Sequence, residues 1–203
     1  MNFIQTLLGP PGLILVAALL GTIGAFWASQ QQGQFERQLR EKSEEIAELN
    51  ERTLNAVTGG DSFAYVAFAR PSEQSNEGML IVIHQGVNPL FDVYMRIVDL
   101  QTFAELGGDV TLNNFMHGST QFQLGTLVAG HARTLGKFSL GTETKRSFNI
   151  FFAARNGGFS QLVRFVRVAD RWRSAYRVKR NGEVIHEKID EEFPRNQAGA
   201  VEW

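Results

Sequence analysis

Three side chains have the clearest potential for chemistry, because hydroxyl groups activated by a nearby base are common nucleophiles in hydrolases. Ser62 ends the triplet Gly60-Asp61-Ser62. His117 and Ser119 lie two residues apart in NNFMHGST, the longest irregular stretch of the chain. Loops often carry functional residues. If the protein is an enzyme, we therefore expect its site in the loop at 101–120.

The triplet that ends at Ser62 resembles the opening of the nucleophile block in one large class of lipases and esterases. That resemblance implies a buried strand before the serine and an Asp-x-x-His pair near the C-terminus. In this chain a charged helical pattern precedes Ser62, and Asp190 follows His186 instead of preceding it. The resemblance covers three residues only. We therefore interpret the triplet as a helix cap and turn, and predict no catalytic residue there.

The remaining residue types argue against a metal or a cofactor. The chain has no cysteine, which removes thiolate ligands, disulfides and cysteine nucleophiles together. No glycine-rich phosphate loop precedes a helix. Four histidines occur, and none lies two, three or four residues from another, as a zinc motif requires; they are His84, His117, His131 and His186. We predict no metal, no cofactor and a non-enzymatic protein.

Charge is distributed unevenly along the chain, although the formal net charge is only -1. That net charge gives no global attraction to nucleic acid, so we predict no nucleic-acid partner. Between residues 131 and 180 there are 12 Lys and Arg against two acids, whereas 183–192 holds five acids against one Lys. Alternation along a predicted strand brings four cations to one face, a possible surface for an acidic protein or for anionic lipid head groups: Arg171, Arg173, Arg177 and Lys179.

The same basic face has a second interpretation. Asn181-Gly182 predicts a two-residue hairpin turn, so the acidic segment that follows would become the partner strand. Such pairing places Arg180 opposite Glu183 and Tyr176 opposite Glu187, and the acids then neutralise the cations. Of the two interpretations we favour neutralisation.

The N-terminal segment has the composition of a membrane anchor. No charged side chain occurs in 1–35, and the apolar run LILVAALLGTIGAFWA, extended back to Leu7, reaches the roughly 20 residues that cross a bilayer. A cleaved signal peptide is the alternative, but the segment lacks a basic start and a small residue at the required position. We predict an uncleaved anchor at 1–29. Small residues recur every four positions and form a possible helix-helix contact: Ala17, Gly21 and Ala25.

Residues 30–58 show a different, charged helical pattern. From Phe35 to Ala56 the seam positions alternate in spacings of four and three, as in a coiled coil, and opposite charges lie one turn apart. Lys42 and Thr53 interrupt this seam. The segment predicts a helical stalk. It is either a short coiled coil, which would give a homodimer through anchor and stalk, or a single amphipathic helix.

Beyond residue 60 the chain alternates short β-favouring segments with turn formers. We predict nine strands in a β domain at 61–190, followed by a tail at 191–203. The predicted strands lie near 62–69, 79–85, 91–100, 121–128, 133–140, 146–154, 159–168, 172–180 and 183–189. The regular spacing favours an antiparallel β-sandwich of immunoglobulin-like kind, with a small barrel as the alternative. Alternation along the first strand assigns Phe63 and Tyr65 to the core.

These features together predict a mainly β protein with one transmembrane helix, held in the inner (plasma) membrane of a bacterial-type cell. Basic residues after the anchor favour a cytoplasmic β domain, although anchored sandwiches on stalks often face outward. The predicted function is a non-enzymatic binding or assembly module with an unknown protein partner. The alternatives are an enzyme with a site around the 101–120 loop and a lipid-surface binding domain that uses the basic strand face. No family is indicated beyond the general sandwich architecture.

Overall fold

The computed structural model describes residues 9–105 and 119–203. It divides into two compact units, Met1–Thr53 and Leu54–Trp203. The first unit holds most of a long helix, and the second holds the last turn of that helix and all the strands. The predicted loop site at 101–120 lies largely outside the described residues.

The long helix, α1, spans Pro10–Thr58 without a break at the polar segment QQQGQ. Ion pairs one turn apart support its charged half, including Arg40–Glu44 at 3.1 Å and Arg52–Glu48 at 2.5 Å. Its most apolar window has a mean hydropathy of 1.9, and α1 is the one helix in 9–105 and 119–203 long and apolar enough to cross a membrane. A signal sequence near the N-terminus meets the same criterion.

The strands form two antiparallel sheets. Sheet A has the order β1-β2-β5, and sheet B has the order β4-β3-β6-β7-β8-β9. Each described strand begins and ends within two residues of a predicted one, and a short helix, α2, follows β3 at Leu100–Glu105. The bounds are β1 Phe63–Ala69, β2 Glu77–Gln85, β3 Leu90–Asp99, β4 Ser119–Leu127, β5 Ala132–Ser139, β6 Lys145–Ala154, β7 Gly157–Val168, β8 Arg171–Arg180 and β9 Glu183–Ile189.

One hydrophobic core joins the two sheets. The ring of Phe68 on β1 contacts the rings of Phe148 and Phe165 on sheet B, with centroids 5.6 and 5.1 Å away. Trp172 on β8 is fully buried, and its indole N–H donates to the Asn76 side chain at 2.8 Å. Such a hydrogen bond lets the indole occupy the core without an unsatisfied donor.

Both faces of the first strand are covered. Ala64 and Val66 are buried, at 0% and 1% exposure, whereas Phe63 and Tyr65 are half-buried and pack against the core. Tyr65 stacks on Tyr176 of β8, with ring centroids 5.5 Å apart. The prediction of Phe63 and Tyr65 as core residues therefore holds in part, because the most buried positions of β1 belong to Ala64 and Val66.

Gln161 of β7 ties the two sheets together. Its side chain is fully buried, accepts from the backbone N–H of Val66 at 2.7 Å and donates to the backbone C=O of Val66 at 2.9 Å. These two groups lie on the edge of β1 that faces away from β2. Gln161 thus satisfies a sheet edge that would otherwise be buried with unpaired groups.

The hairpin between β8 and β9 has the predicted two-residue turn, and Asn181 and Gly182 both have positive φ, at 51° and 87°. Arg180 pairs with Glu183 as predicted. A bulge then shifts the register, because Val178 faces His186 while Lys179 faces Val184. As a result Glu187 faces Arg177 and not Tyr176, which pairs with Lys188.

Candidate functional site

The outer face of sheet B, the side away from the shared core, carries the cations that the sequence singled out. Arg173, Arg177 and Lys179 alternate along β8 with the inward-facing Trp172, Tyr176 and Val178. Three of the four predicted cations are paired with acids. Arg171 and Arg173 contact Glu73 at 3.8 and 2.9 Å, and Arg177 contacts Glu187 at 2.5 Å. Acidic side chains therefore neutralise three of the four cations of β8. These acids come from the loop after β1 as well as from β9.

The C-terminal tail covers one half of this outer face. Phe193 and Val201 are buried at 5% and 8% exposure and pack with Ala175 of β8. Glu192 forms an ion pair with Arg173, whose side chain is only 9% exposed. The ring of Trp203 lies 4.3 Å from the guanidinium carbon of Arg177, a cation-π contact.

Acidic and aromatic residues are adjacent at the two points where the tail holds the sheet. Glu192 precedes Phe193, and Glu202 precedes Trp203. In the first pair the carboxylate binds an arginine while the ring is buried, and in the second the ring covers an arginine. The tail therefore shows that this face contacts carboxylates and aromatic rings.

In the described ranges 9–105 and 119–203 no segment covers the other half of the outer face, and we call that half the open patch: Tyr94, Arg96, Phe151, Ser160 and Lys179. Strand register places Arg96 beside Phe151, Phe151 beside Ser160 and Ser160 beside Lys179, in one row across four strands. Tyr94 and Phe151 are 37% and 44% exposed. The Arg96 guanidinium lies 5.6 Å from the centroid of Phe151. Among the residues that the structure describes, none forms an ion pair or a hydrogen bond with the ammonium group of Lys179.

A further cation, Arg164 of β7, lies under the same face at 9% exposure. It donates to the carbonyls of Phe148 and Val163 at 3.1 and 2.9 Å and to the Asn149 side chain at 3.3 Å. Burial lowers the pKa of Arg164. No carboxylate in the described part of the chain forms an ion pair with it, so its charge adds to the positive potential of this face.

Ser62, at the end of the lipase-like triplet, holds the chain in place after α1. It is 2% exposed, and its hydroxyl accepts from the backbone N–H of Asn88 at 3.1 Å. Its carbonyl accepts from Asn156 and Arg180, at 2.8 and 2.7 Å. Within the described residues no histidine is hydrogen-bonded to Ser62. These contacts account for the serine through packing and hydrogen bonds alone.

Of the described histidines, His84 and His131 are neighbours, since the backbone N–H of His84 donates to the carbonyl of His131 at 3.0 Å, and His117 lies outside the described residues. His84 is 3% exposed; its Nε2 contacts the carbonyl of Asn88 at 2.8 Å and its Nδ1 accepts from the Gly130 N–H. Burial, the largest effect, lowers the pKa of His84. The described part of the chain holds no group of three or more metal-ligating side chains.

His186 belongs to an aromatic cluster between β1 and the β8-β9 hairpin. Its Nε2 lies 3.1 Å from the hydroxyl of Tyr176. Burial, assisted by neighbouring Tyr65, raises the pKa of Tyr176 to about 12. The cluster consists of rings packed against one another, with centroids 5.1–5.8 Å apart.

The other predicted site residues are not brought together. Ser119 is the first residue of β4 and pairs with Val98. Ala17, Gly21 and Ala25 lie on α1, and a Cβ added at Gly21 would meet nothing within 4 Å. The helix-helix contact and the coiled coil stay predictions.

The open patch contains residues that the sequence analysis did not select. The sequence shows that Tyr94 and Arg96 share one face of a strand. Their alignment with Phe151 and Lys179, however, depends on the pairing of strands that are far apart in sequence. Comparison with known proteins adds no relative. The chain matches no family model, no curated protein and no solved structure. What the protein binds therefore has to be inferred from its own side chains.

Proposed function

We propose that the protein is a single-pass, membrane-anchored and non-enzymatic binding module. Its ligand is a segment of a partner protein in which an acidic residue adjoins an aromatic residue. The binding surface is the open patch on the outer face of sheet B. Of the two ligands considered for the basic face, the ligand we propose is an acidic protein segment and not anionic lipid head groups.

One observation carries the proposal: the tail occupies half of a single outer face and leaves the adjoining half open. Trp203 covers Arg177, and Arg177 stands two residues from Lys179 of the open patch. The open half carries cations as the covered half does, and it presents two exposed aromatic rings, Tyr94 and Phe151, beside them. A partner segment with the tail's chemistry would extend the contact that the tail already makes. Cations and exposed aromatic rings are also the residue types that dominate binding energy in interfaces.

We further infer that the strands form an immunoglobulin-like sandwich. In sheet A the order β1-β2-β5 corresponds to strands A, B and E of that fold, and in sheet B the run β4-β3-β6-β7 corresponds to C′, C, F and G. Strands β8 and β9 then extend sheet B beyond G. The open patch lies on this extended sheet, which is wider than sheet A.

A selection from a displayed random peptide library on the full-length chain in nanodiscs tests the proposed ligand. We expect enrichment of peptides with an acidic residue next to Phe, Trp or Tyr. Lys179→Glu should weaken a selected peptide by at least about tenfold, which corresponds to about 1.4 kcal/mol, because it replaces attraction by repulsion. Binding should also weaken as salt rises.

The matched control is Lys188→Glu, which makes the same charge change at an exposed lysine of β9 that pairs with Tyr176. This variant should bind the selected peptide within about twofold of the unmodified chain. Two results would contradict the proposal: no enrichment of the acidic-aromatic pair, or equal binding by the Lys179→Glu chain. Competition by anionic lipid and not by peptide would favour the lipid-surface alternative instead.

We propose that the β domain lies on the cytoplasmic side of an inner (plasma) membrane, because Arg37, Arg40 and Lys42 follow the apolar segment. The absence of native cysteine makes a direct test simple. A cysteine replacing Val87, which is 88% exposed, should react with a membrane-impermeant maleimide only after the inner membrane is broken. Labelling in cells whose inner membrane is intact would place the domain outside and redirect the search for the partner.

A further inference from the structure

A cleft between the two sheets lies at the strand ends opposite Ser62 and has a volume of about 280 Å³. Its floor is apolar and is built by residues from both sheets: Phe68, Leu80, Ile97, Phe122, Phe138 and Phe148. Phe68 and Phe138 meet edge to face, with centroids 4.9 Å apart, so the floor is packed and preformed. Such apolar concavities with a few polar groups are typical ligand sites.

The rim of the cleft supplies hydrogen-bond donors that lack acceptors. The Nε atom of Arg146 is buried and has no hydrogen-bond partner, while another nitrogen of the same guanidinium pairs with Asp99. Lys137 and Thr120 also line the cleft. In the described ranges neither side chain has an ion-pair or hydrogen-bond partner.

We infer that this cleft binds a small monocarboxylate with an apolar body. The carboxylate would accept from Lys137 and Thr120, and the body would lie on the phenylalanine floor. Asp99 is already used by Arg146 and by the backbone N–H of Gln101 at 3.1 Å, so it does not oppose an anion strongly. The inference concerns residues separate from the open patch and does not rest on the proposed function.

The size of the cleft limits the ligand. Sites for drug-sized molecules have volumes of about 300–1,000 Å³, and this cleft is slightly smaller. A nucleotide or a dinucleotide cofactor is therefore too large. A short acyl chain or a single aromatic ring that carries one carboxylate fits the volume and the donors together.

The test uses 4-(4-fluorophenyl)butyrate with the full-length chain in nanodiscs of neutral lipid, and empty nanodiscs provide the background. Binding is followed by broadening of the ligand's fluorine NMR signal. We expect the carboxylate to bind at least about ten times more tightly than its primary amide. Lys137→Gln should weaken the carboxylate by about tenfold, as loss of a hydrogen bond to a charged group of ~1.5 kcal/mol implies, and leave the amide unchanged.

A second variant tests the position of the site. Thr120 is exposed, so Thr120→Trp can fill the mouth of the cleft without removing a core side chain, and this change should abolish binding. Lys188→Gln and Lys179→Glu should bind the probe as the unmodified chain does, which separates this site from the open patch. Equal binding of carboxylate and amide, or no loss on Lys137→Gln, would overturn the inference even if Thr120→Trp failed to fold.

Discussion

Gln161→Met is expected to lower the free energy of unfolding by about 2–4 kcal/mol. The substitution keeps a side chain of similar volume, so it opens little cavity. It removes both hydrogen bonds to Val66 and leaves a buried N–H and a buried C=O without partners, at about 1–3 kcal/mol each. Urea unfolding of the full-length chain in detergent micelles, followed by tryptophan fluorescence, gives the measurement.

Gln123→Met is the matched control for that substitution. Gln123 is exposed on β4, and no buried group depends on its amide, so the same chemical change should alter stability by less than about 0.5 kcal/mol. If the two variants unfolded at the same urea concentration, Gln161 would not be the tie between the sheets.

Phe193→Ala is expected to release the tail from the outer face of sheet B. Removing a buried phenylalanine costs about 3–5 kcal/mol in a core, and we expect the lower end because Phe193 belongs to a small cluster with Ala175 and Val201. A loss of about 3 kcal/mol raises hydrogen exchange by roughly a hundredfold. That increase should appear in 191–203 by mass spectrometry.

Exchange in sheet A should not change in the Phe193→Ala chain, because the tail contacts sheet B only on its outer face. Val87→Ala, at a side chain that is 88% exposed, is the control and should leave exchange in 191–203 unchanged. Protection of the tail in the Phe193→Ala chain would show that the aromatic ring does not hold it. An aromatic residue would then not be needed for binding to the covered half, and the same would be expected of the open patch.

Local sequence rules predicted most of the strands because the signals they use are local. Turn formers mark the strand ends, and Asn181-Gly182 fixes a tight hairpin in which both residues need positive φ. The same rules failed at the bulge, where the extra residue Ile185 moves Glu187 from Tyr176 to Arg177. A bulge depends on sheet twist and on neighbouring strands, so no pattern within β9 specifies it.

Local patterns also did not predict which residues of β1 are the most buried. Period-two alternation predicts which residues share a face, but it does not say which face is inward when both are partly apolar. Tyr65 is large and apolar enough for a core, yet it stacks on Tyr176, while the smaller Ala64 and Val66 take the inner positions. Only the arrangement of the two sheets decides between these phases.

The candidate site was predictable only in part. Arg177 and Lys179 were visible as alternating cations on one strand, and pairing of the acidic segment with them was also visible. The alignment of Arg96 and Phe151 with Lys179 requires the pairing of β3 with β6 and of β6 with β7. The folding of Trp203 over Arg177 is a long-range packing event. Neither leaves a signal in a local pattern.

Photo-crosslinking in living cells tests the binding function of the open patch most directly. A benzoylphenylalanine replaces Phe151 in the open patch or, as the control, Val128, which is 54% exposed and outside that patch. We expect a cross-linked protein from position 151 only. That product should disappear with Lys179→Glu and persist with Lys188→Glu, and its attached peptide should contain an acidic residue beside an aromatic one. A product that is insensitive to Lys179→Glu, or that forms equally from position 128, would contradict binding at the open patch.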